Sequence, residues 1–262
     1  MIGSTLLLAA LTGLTTLSSA APTPYTTKRG ASGKRGLAFG KGNADKTALF
    51  AGEASWGYNW EAQLLPGLAS GVEYVPMLHD DQTVFTSGFA AFAKGLIEGG
   101  TSKHILSINE PDQTETGGAC MDIGRTVNAH KAHIQPLADA YPDVKIGSPS
   151  VTNGGGEMGL TYLKNFLAAC HGCRIDFVCP HWYNGGDIEA FKTYMRNFHT
   201  ETGKPLWISE WAAPGGDVQF MKDAIKWMDE TDFVYRYAYM SVDSTLTAGS
   251  ALTALGAAYA SA

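Results

Sequence analysis

Two glutamates sit where a glutamate is expensive. One closes the run Leu106-Ser107-Ile108-Asn109-Glu110 and is followed by Pro111; the other closes Leu206-Trp207-Ile208-Ser209-Glu210 and is followed by Trp211. Each ends a mostly apolar, strand-like segment, so each carboxyl is expected to be partly buried. Burial disfavours the charged form and raises a carboxyl pKa. One raised and one ionised carboxyl across a cleft is the pair that breaks glycosidic bonds. The acid protonates the leaving oxygen, and the other attacks the sugar carbon or activates water to do so. Taken singly, Glu110 also reads as a solvated turn residue or helix cap, and Glu210 as a buried ion-pair member. Two such residues at two strand ends weaken those readings.

The neighbours of the pair point the same way. Pro111 fixes its own φ and pushes Glu110 toward extended backbone. Asn109 offers an amide for a sugar hydroxyl. Strict alternation puts Asn109 and Glu110 on opposite faces, so only one points inward unless a bulge intervenes. Leu206, Ile208 and Glu210 share one face, read as the inward one. A third run ends Cys179-Pro180-His181-Trp182-Tyr183. His181 and Tyr183 share a face, and either could hydrogen-bond Glu210; the plainer alternative is a core histidine and a packed tyrosine. Trp56, Tyr58 and Trp60 cluster after an early strand, and Trp182 and Trp211 close two later ones. Such rings stack on the C–H faces of sugars or serve as ordinary core. Trp207 is expected to face outer helices.

The elements that must carry these residues follow one rhythm. Strand-like runs are expected at Arg35–Phe39, Ala54–Gly57, Glu73–Leu78, His104–Asn109, Lys145–Ser150, Ile175–Trp182, Leu206–Trp211 and Phe233–Met240. Helical patterns follow each in turn, at Asp45–Ala51, Glu61–Leu65, Thr83–Glu98, Met121–Tyr141, Gly159–Ala169, Ile188–Glu201, Val218–Glu230 and Gly249–Ala258. Alternating strand and helix implies a parallel sheet with helices outside. Eight such units imply a (β/α)8 TIM barrel in a single compact domain, with its chemistry at the C-terminal strand ends. A doubly wound sheet is the alternative. Gly40-Lys41-Gly42 would then begin a dinucleotide fingerprint, but Asp45 stands where the third glycine belongs.

At this point the chain resembles glycoside hydrolase family 128. The signatures are, in order, Trp56–Trp60 (WGYNW), Glu73–Leu78 (EYVPML), Ser107–Asp112 (SINEPD), Ile134–Leu137 (IQPL), Lys145–Ser150 (KIGSPS), Asp176–Tyr183 (DFVCPHWY), Trp207–Trp211 (WISEW) and Arg236–Tyr239 (RYAY). They run from about Arg35 to Tyr259. The resemblance implies a small (β/α)8 barrel and a retaining endo-β-1,3-glucanase. It implies Glu110 as acid/base, Glu210 as nucleophile, and Asn109 at the 2-hydroxyl near the scissile bond. Substrate contacts are expected from His181, Tyr183, Trp182, Trp211, Trp56 and Tyr58. Gly57 and His79 depart from the family, which often has aromatic residues there; this bears on subsites more than on chemistry. Other readings are a barrel glycosidase for another β-glycan, or an inactive β-glucan-binding protein.

Composition sets the boundaries. The chain has 262 residues, 45% hydrophobic, 17% charged and 11% aromatic, with a net charge of −6. No basic surplus exists to neutralise nucleic acid. Leu6 to Leu17 is an apolar run followed by Ser18, Ser19, Ala20 and Ala21, the pattern of a secretory signal peptide over 1–20. It is shorter than the roughly 20 residues of a membrane span. Residues 21–35 read as a pro-segment or linker with dibasic sites at Lys28-Arg29 and Lys34-Arg35. Cleavage after Arg35 would leave residues 36–262 as the catalytic domain, and would take the charge from −6 to −10 by removing four cations. We expect a secreted, extracellular or wall-associated monomer that needs no metal or cofactor and contacts no membrane. Of four cysteines, Cys170 and Cys173 are the expected local bridge, while Cys120 and Cys179 pair or stay free.

Overall fold

Strand and helix alternate along most of the chain, and eight of the strands form one parallel sheet. The structure, a computed structural model, describes residues 33–262 except 65, 116 and 214. The expected signal peptide over 1–20, and all but the last three residues of the 21–35 segment, lie outside the described residues. Eight strands pair in parallel: β1 (Arg35–Ala38), β2 (Trp56–Tyr58), β3 (Glu73–Tyr74), β4 (His104–Ile105), β5 (Lys145–Val151), β6 (Phe177–Pro180), β7 (Leu206–Trp211) and β8 (Val234–Tyr239). Their order across the curled sheet is β3-β2-β1-β8-β7-β6-β5-β4. Beyond the regular parts of β3 and β4, Met77 and Leu106 form a parallel bridge, and Asn109 N donates to His79 O at 2.9 Å.

The sheet is buried on both faces, as parallel strands are. Its concave side holds Trp56, Tyr58, Met77, Leu106, Phe177 and Trp207. Its convex side packs Leu37, Phe39, Val178, Leu206, Ile208 and Trp211 against helices. Gly36 is required by this arrangement. A Cβ there would stand 2.0 Å from the Trp56 ring, so only glycine lets that ring lie on β1.

The outer layer contains α1 (Thr83–Thr86), α2 (Phe89–Glu98), α3 (Ile123–Ala129), α4 (Gln135–Ala140), α5 (Gly159–Ala169), α6 (Ile188–Thr202), α7 (Val218–Glu230) and α8 (Ala254–Ser261). Asp122, Asp187 and Asp217 cap α3, α6 and α7 by accepting backbone N–H bonds. Four expectations need correction. Residues 61–64 are irregular, not a helix; the Tyr74 hydroxyl pins this segment through Glu61 O at 2.8 Å. The helix expected over 83–98 breaks at Gly88, whose φ is 84°. The helix expected over 121–141 is interrupted by a π turn at His130–Ile134. A short hairpin, β9 (Thr247–Ala248) with β10 (Ala251–Leu252), replaces the start of the last helix.

Lys34 and Arg35, the second dibasic pair, pack against the folded chain. Lys34 Nζ donates to the carbonyls of Met228, Asp229 and Thr231 at the C-terminal end of α7. Arg35 is buried at the start of β1 and donates to Tyr259 O at 2.6 Å. Cys170 and Cys173 form a disulfide just after α5, while Cys120 and the buried Cys179 are free thiols.

Candidate active site

The last turn of β7 places Glu210. Ile208 pairs with Tyr237, and Trp211 with Tyr239, so β7 carries one more residue than β8 over this stretch. The bulge lets Ser209 and Glu210 both face inward between the outward Ile208 and Trp211. The inward face expected for Leu206 and Ile208 is therefore wrong, since both pack against helices. Trp207 is core as expected, but it belongs to the concave cluster rather than the helix side.

Glu110 solves a similar problem differently. Its φ is +42°, in the left-handed region, and not the extended backbone expected before Pro111. Its N–H donates to Ser150 O at 2.8 Å, and Asn109 O accepts from Ala119 N at 2.8 Å. This fixed kink brings Asn109 and Glu110 to one cleft of about 550 Å³, which Glu210, Trp60, His79 and Tyr183 also line. The Asn109 Oδ1 atom is buried without a protein partner.

His181, directly after β6, joins the two carboxylates. Its Nδ1 donates to Glu110 Oε1 at 2.8 Å and stands 3.6 Å from Glu210 Oε2. Its Nε2 is hydrogen-bonded to the Ser209 hydroxyl at 3.0 Å. Burial opposes charge on His181, but Glu210 and Glu110 outweigh it and raise its pKa. Burial likewise opposes ionisation of Glu110, and the hydrogen bond and charge of His181 outweigh it, so the Glu110 pKa falls below the ordinary carboxyl value. The raised carboxyl expected from burial alone is thereby corrected. Three donors meet Glu210: Trp60 Nε1 on Oε1 at 2.6 Å, Tyr58 OH on Oε1 at 3.3 Å, and Tyr183 OH on Oε2. Burial and the facing Glu210 raise the pKa of Tyr58 and Tyr183, which keeps both phenols protonated as donors.

The aromatic residues divide sharply. Tyr183 is 38% exposed in the cleft. Tyr58 is fully buried and touches Glu210 from behind, so it supports the carboxylate rather than a sugar. Trp56 is fully buried, with its Nε1 bonded to Lys34 O at 3.0 Å near the start of β1; it is core, not a subsite. Trp182 packs on Phe191 and Tyr194, and Trp211 on Tyr239 and Phe191, so both belong to the sheet–helix layer. In the sequence Trp60 is one of an aromatic cluster; in the structure it stands at the cleft. Its place just past the end of β2 was the available signal. Ser209 and Ser150, whose hydroxyls lie 3.4 Å apart beneath His181, carried no signal at all.

Known proteins are similar to this chain over most of its length. A family model described as Glycosyl hydrolase catalytic core matches residues 36–259. The crystal structure of a GH128 (subgroup III) curdlan-specific exo-β-1,3-glucanase from Blastomyces gilchristii is 34% identical, with TM-score 0.80, covering 89% of this chain and all of that one. The chain belongs to glycoside hydrolase family 128. A second family 128 structure, an endo-β-1,3-glucanase from Sorangium cellulosum, is 27% identical with TM-score 0.74, covering 87% of this chain and 98% of that one. Alkali-sensitive linkage protein 1 of Schizosaccharomyces pombe is 29% identical over 230 residues, or 83% of this chain. The chain spans 40% of the length of that curated relative. The two glutamates singled out by the family 128 resemblance are the two that the cleft brings together.

The same place is where a cation would fit. One ligand atom each from Glu110, His181 and Glu210 lie within 4.8 Å of one another. Both ring nitrogens of His181 are already engaged, one by Glu110 and one by Ser209, so the imidazole bridges groups of the protein rather than pointing a free lone pair at an ion.

Proposed function

We propose that the protein hydrolyses β-1,3-glucosidic bonds with net retention, with Glu210 as nucleophile and Glu110 as acid/base. The observation that carries this is the closeness of the two carboxylates, whose nearest ligand oxygens lie within 4.8 Å. Retaining pairs stand about 5–5.5 Å apart, and inverting pairs about 6.5–9.5 Å, because a water must fit between them. Glu210 attacks the anomeric carbon while Trp60, Tyr58 and Tyr183 hold its orientation. Glu110 and His181 share a proton along one short hydrogen bond, and Glu110 passes it to the leaving oxygen. Glu110 then takes a proton from the water that releases the sugar. Asn109 Oδ1, lacking a protein donor, accepts from a hydroxyl of the bound sugar.

We further infer cleavage within chains, in a closed (β/α)8 barrel secreted through the signal segment. The Met77–Leu106 bridge supports closure, and the disulfide supports an oxidising compartment. Release from chain ends is a second reading, favoured by the exo-acting relative at 34% identity. Digestion of β-1,3-glucan, with product sizing over time and the first-formed anomer read by NMR, decides between them. Mixed oligomers of β configuration are expected. Glucose alone at early times favours the exo reading, and an α first product contradicts retention. Full activity in Glu210→Ala overturns the nucleophile assignment. Chelator is expected to leave the rate unchanged; loss that Mg²⁺ or Zn²⁺ restores would assign the Glu110–His181–Glu210 cluster to a metal.

A further inference from the structure

The strand ends opposite the catalytic cleft carry a second cavity. Its volume is about 330 Å³, within the roughly 300–1,000 Å³ of small-ligand sites. It is lined by Lys145, Asp176, Phe177, Pro205 and Tyr235. Lys145 and Phe177 begin β5 and β6, Pro205 precedes β7, and Tyr235 is the second residue of β8. The cavity thus belongs to the N-terminal mouth of the sheet, where residues ordinarily serve stability.

Stability does not explain an exposed ring. Among the described residues the exposed large hydrophobic side chains are Val84, Tyr183 and Tyr235. Tyr183 stands in the catalytic cleft, and Tyr235, also 38% exposed, stands in this second cavity. Its hydroxyl is bonded to His104 Nε2 at 2.7 Å, and His104 Nδ1 to Glu73 Oε1 at 2.7 Å. Trp207 meets the ring edge-on at 5.7 Å. The ring is therefore held in place with its hydroxyl occupied, and what it offers a ligand is apolar carbon. Beside it, Lys145 Nζ and Asp176 Oδ1 are loosely paired at 3.7 Å. Asp176 is shared with Arg174 Nε at 3.4 Å, and its Oδ2 also accepts from Ile146 N at 2.8 Å, which leaves the half-exposed Lys145 ammonium as the donor at the rim. A fixed aromatic platform with a polar donor at its rim suits a ligand that has an apolar C–H face and many hydroxyls.

We propose that this cavity is a second β-glucan-binding site, which grips a neighbouring chain of particulate glucan while the cleft cuts. The inference rests on the glucanase reading above. A second contact raises the effective concentration of enzyme on a surface of many chains, and adds nothing on short soluble oligomers. Wild type, Tyr235→Ala and Tyr235→Phe are compared for retention on washed particulate β-1,3-glucan, for rate on that material, and for kcat/KM on a soluble β-1,3-gluco-oligosaccharide. Tyr235→Ala is expected to lose about tenfold in retention and particulate rate, less than the roughly 10²–10⁴ of a wholly lost second contact because the rest of the cavity remains. Its soluble kcat/KM stays at the wild-type value, and Tyr235→Phe, which keeps the ring, stays near wild type on both. An unchanged particulate rate in Tyr235→Ala overturns the second site alone, as does an equal fall on both substrates. If Tyr235→Ala does not fold, Lys145→Ala, at a half-exposed side chain, carries the test with the same split and a smaller drop; no split there overturns the site. Wild type that neither cleaves nor binds β-1,3-glucan removes both readings together.

Discussion

At the residue scale, the cleft is a chain of hydrogen bonds around two carboxylates. Replacing Glu110 by Gln removes the transferable proton and is expected to cost about 10²–10⁴ in kcat, the usual worth of general acid–base catalysis. Trp60→Phe keeps an aromatic ring but removes the Nε1 donor on Glu210. A hydrogen bond to a charged group is worth about 1.5–3 kcal/mol, so kcat should fall about 10- to 100-fold with little change in thermal stability. His181→Gln removes the cation that holds Glu110 low. Burial then acts alone, and the Glu110 carboxyl should titrate higher, which carboxyl-carbon NMR reads directly; an unmoved titration would break the proposed coupling. The sequence made both glutamates, His181 and Tyr183 legible because strand ends can be located from apolar runs. It could not say which way a ring points. Trp56, Trp182 and Trp211 sit at or near strand ends like Trp60, yet they face the core.

At the element scale, two irregularities decide the site. The β7 bulge and the positive φ of Glu110 each turn a residue that strict alternation would send elsewhere. Neither leaves a mark in a hydrophobic pattern, whose period of two has no symbol for an extra residue. The same limit hid the break at Gly88 within an otherwise continuous helical stripe. A further tie crosses between strands: Glu73 of β3 bonds His104 of β4 and Arg236 of β8, at 2.7 and 2.8 Å. Burial opposes ionisation of Glu73, but these partners prevail and bring its pKa to about 2. A carboxyl depressed on folding stabilises above its unfolded pKa, and that stability drains as pH falls from 4.5 toward about 2. The amount is about 3 kcal/mol. Glu73→Gln should therefore flatten the acid side of a stability–pH curve measured by urea unfolding. At β1, Gly36→Ala drives a methyl into Trp56 and should cost about 1–3 kcal/mol, read by thermal unfolding.

At the scale of the whole molecule, chemistry and cohesion occupy opposite ends of the strands. On the neutral glucan proposed as substrate, a net charge of −6 predicts a KM that does not respond to ionic strength, since no long-range attraction is there to screen. A KM that rises with salt would point to an anionic ligand instead. The recurrence of apolar strands separated by helical segments made the parallel sheet legible, because a parallel sheet buried on both faces needs continuous apolar strands and intervening helices. The placement of Trp60 also makes the molecule its own optical probe. Of six tryptophans, Trp56, Trp182, Trp207 and Trp211 are buried, and Trp227 lies half-buried on α7. Only the indole of Trp60 touches a carboxylate, that of Glu210, at the edge of the cleft. A sugar settling there changes the water around that one ring, so a shift in the intrinsic emission counts occupied clefts without any label.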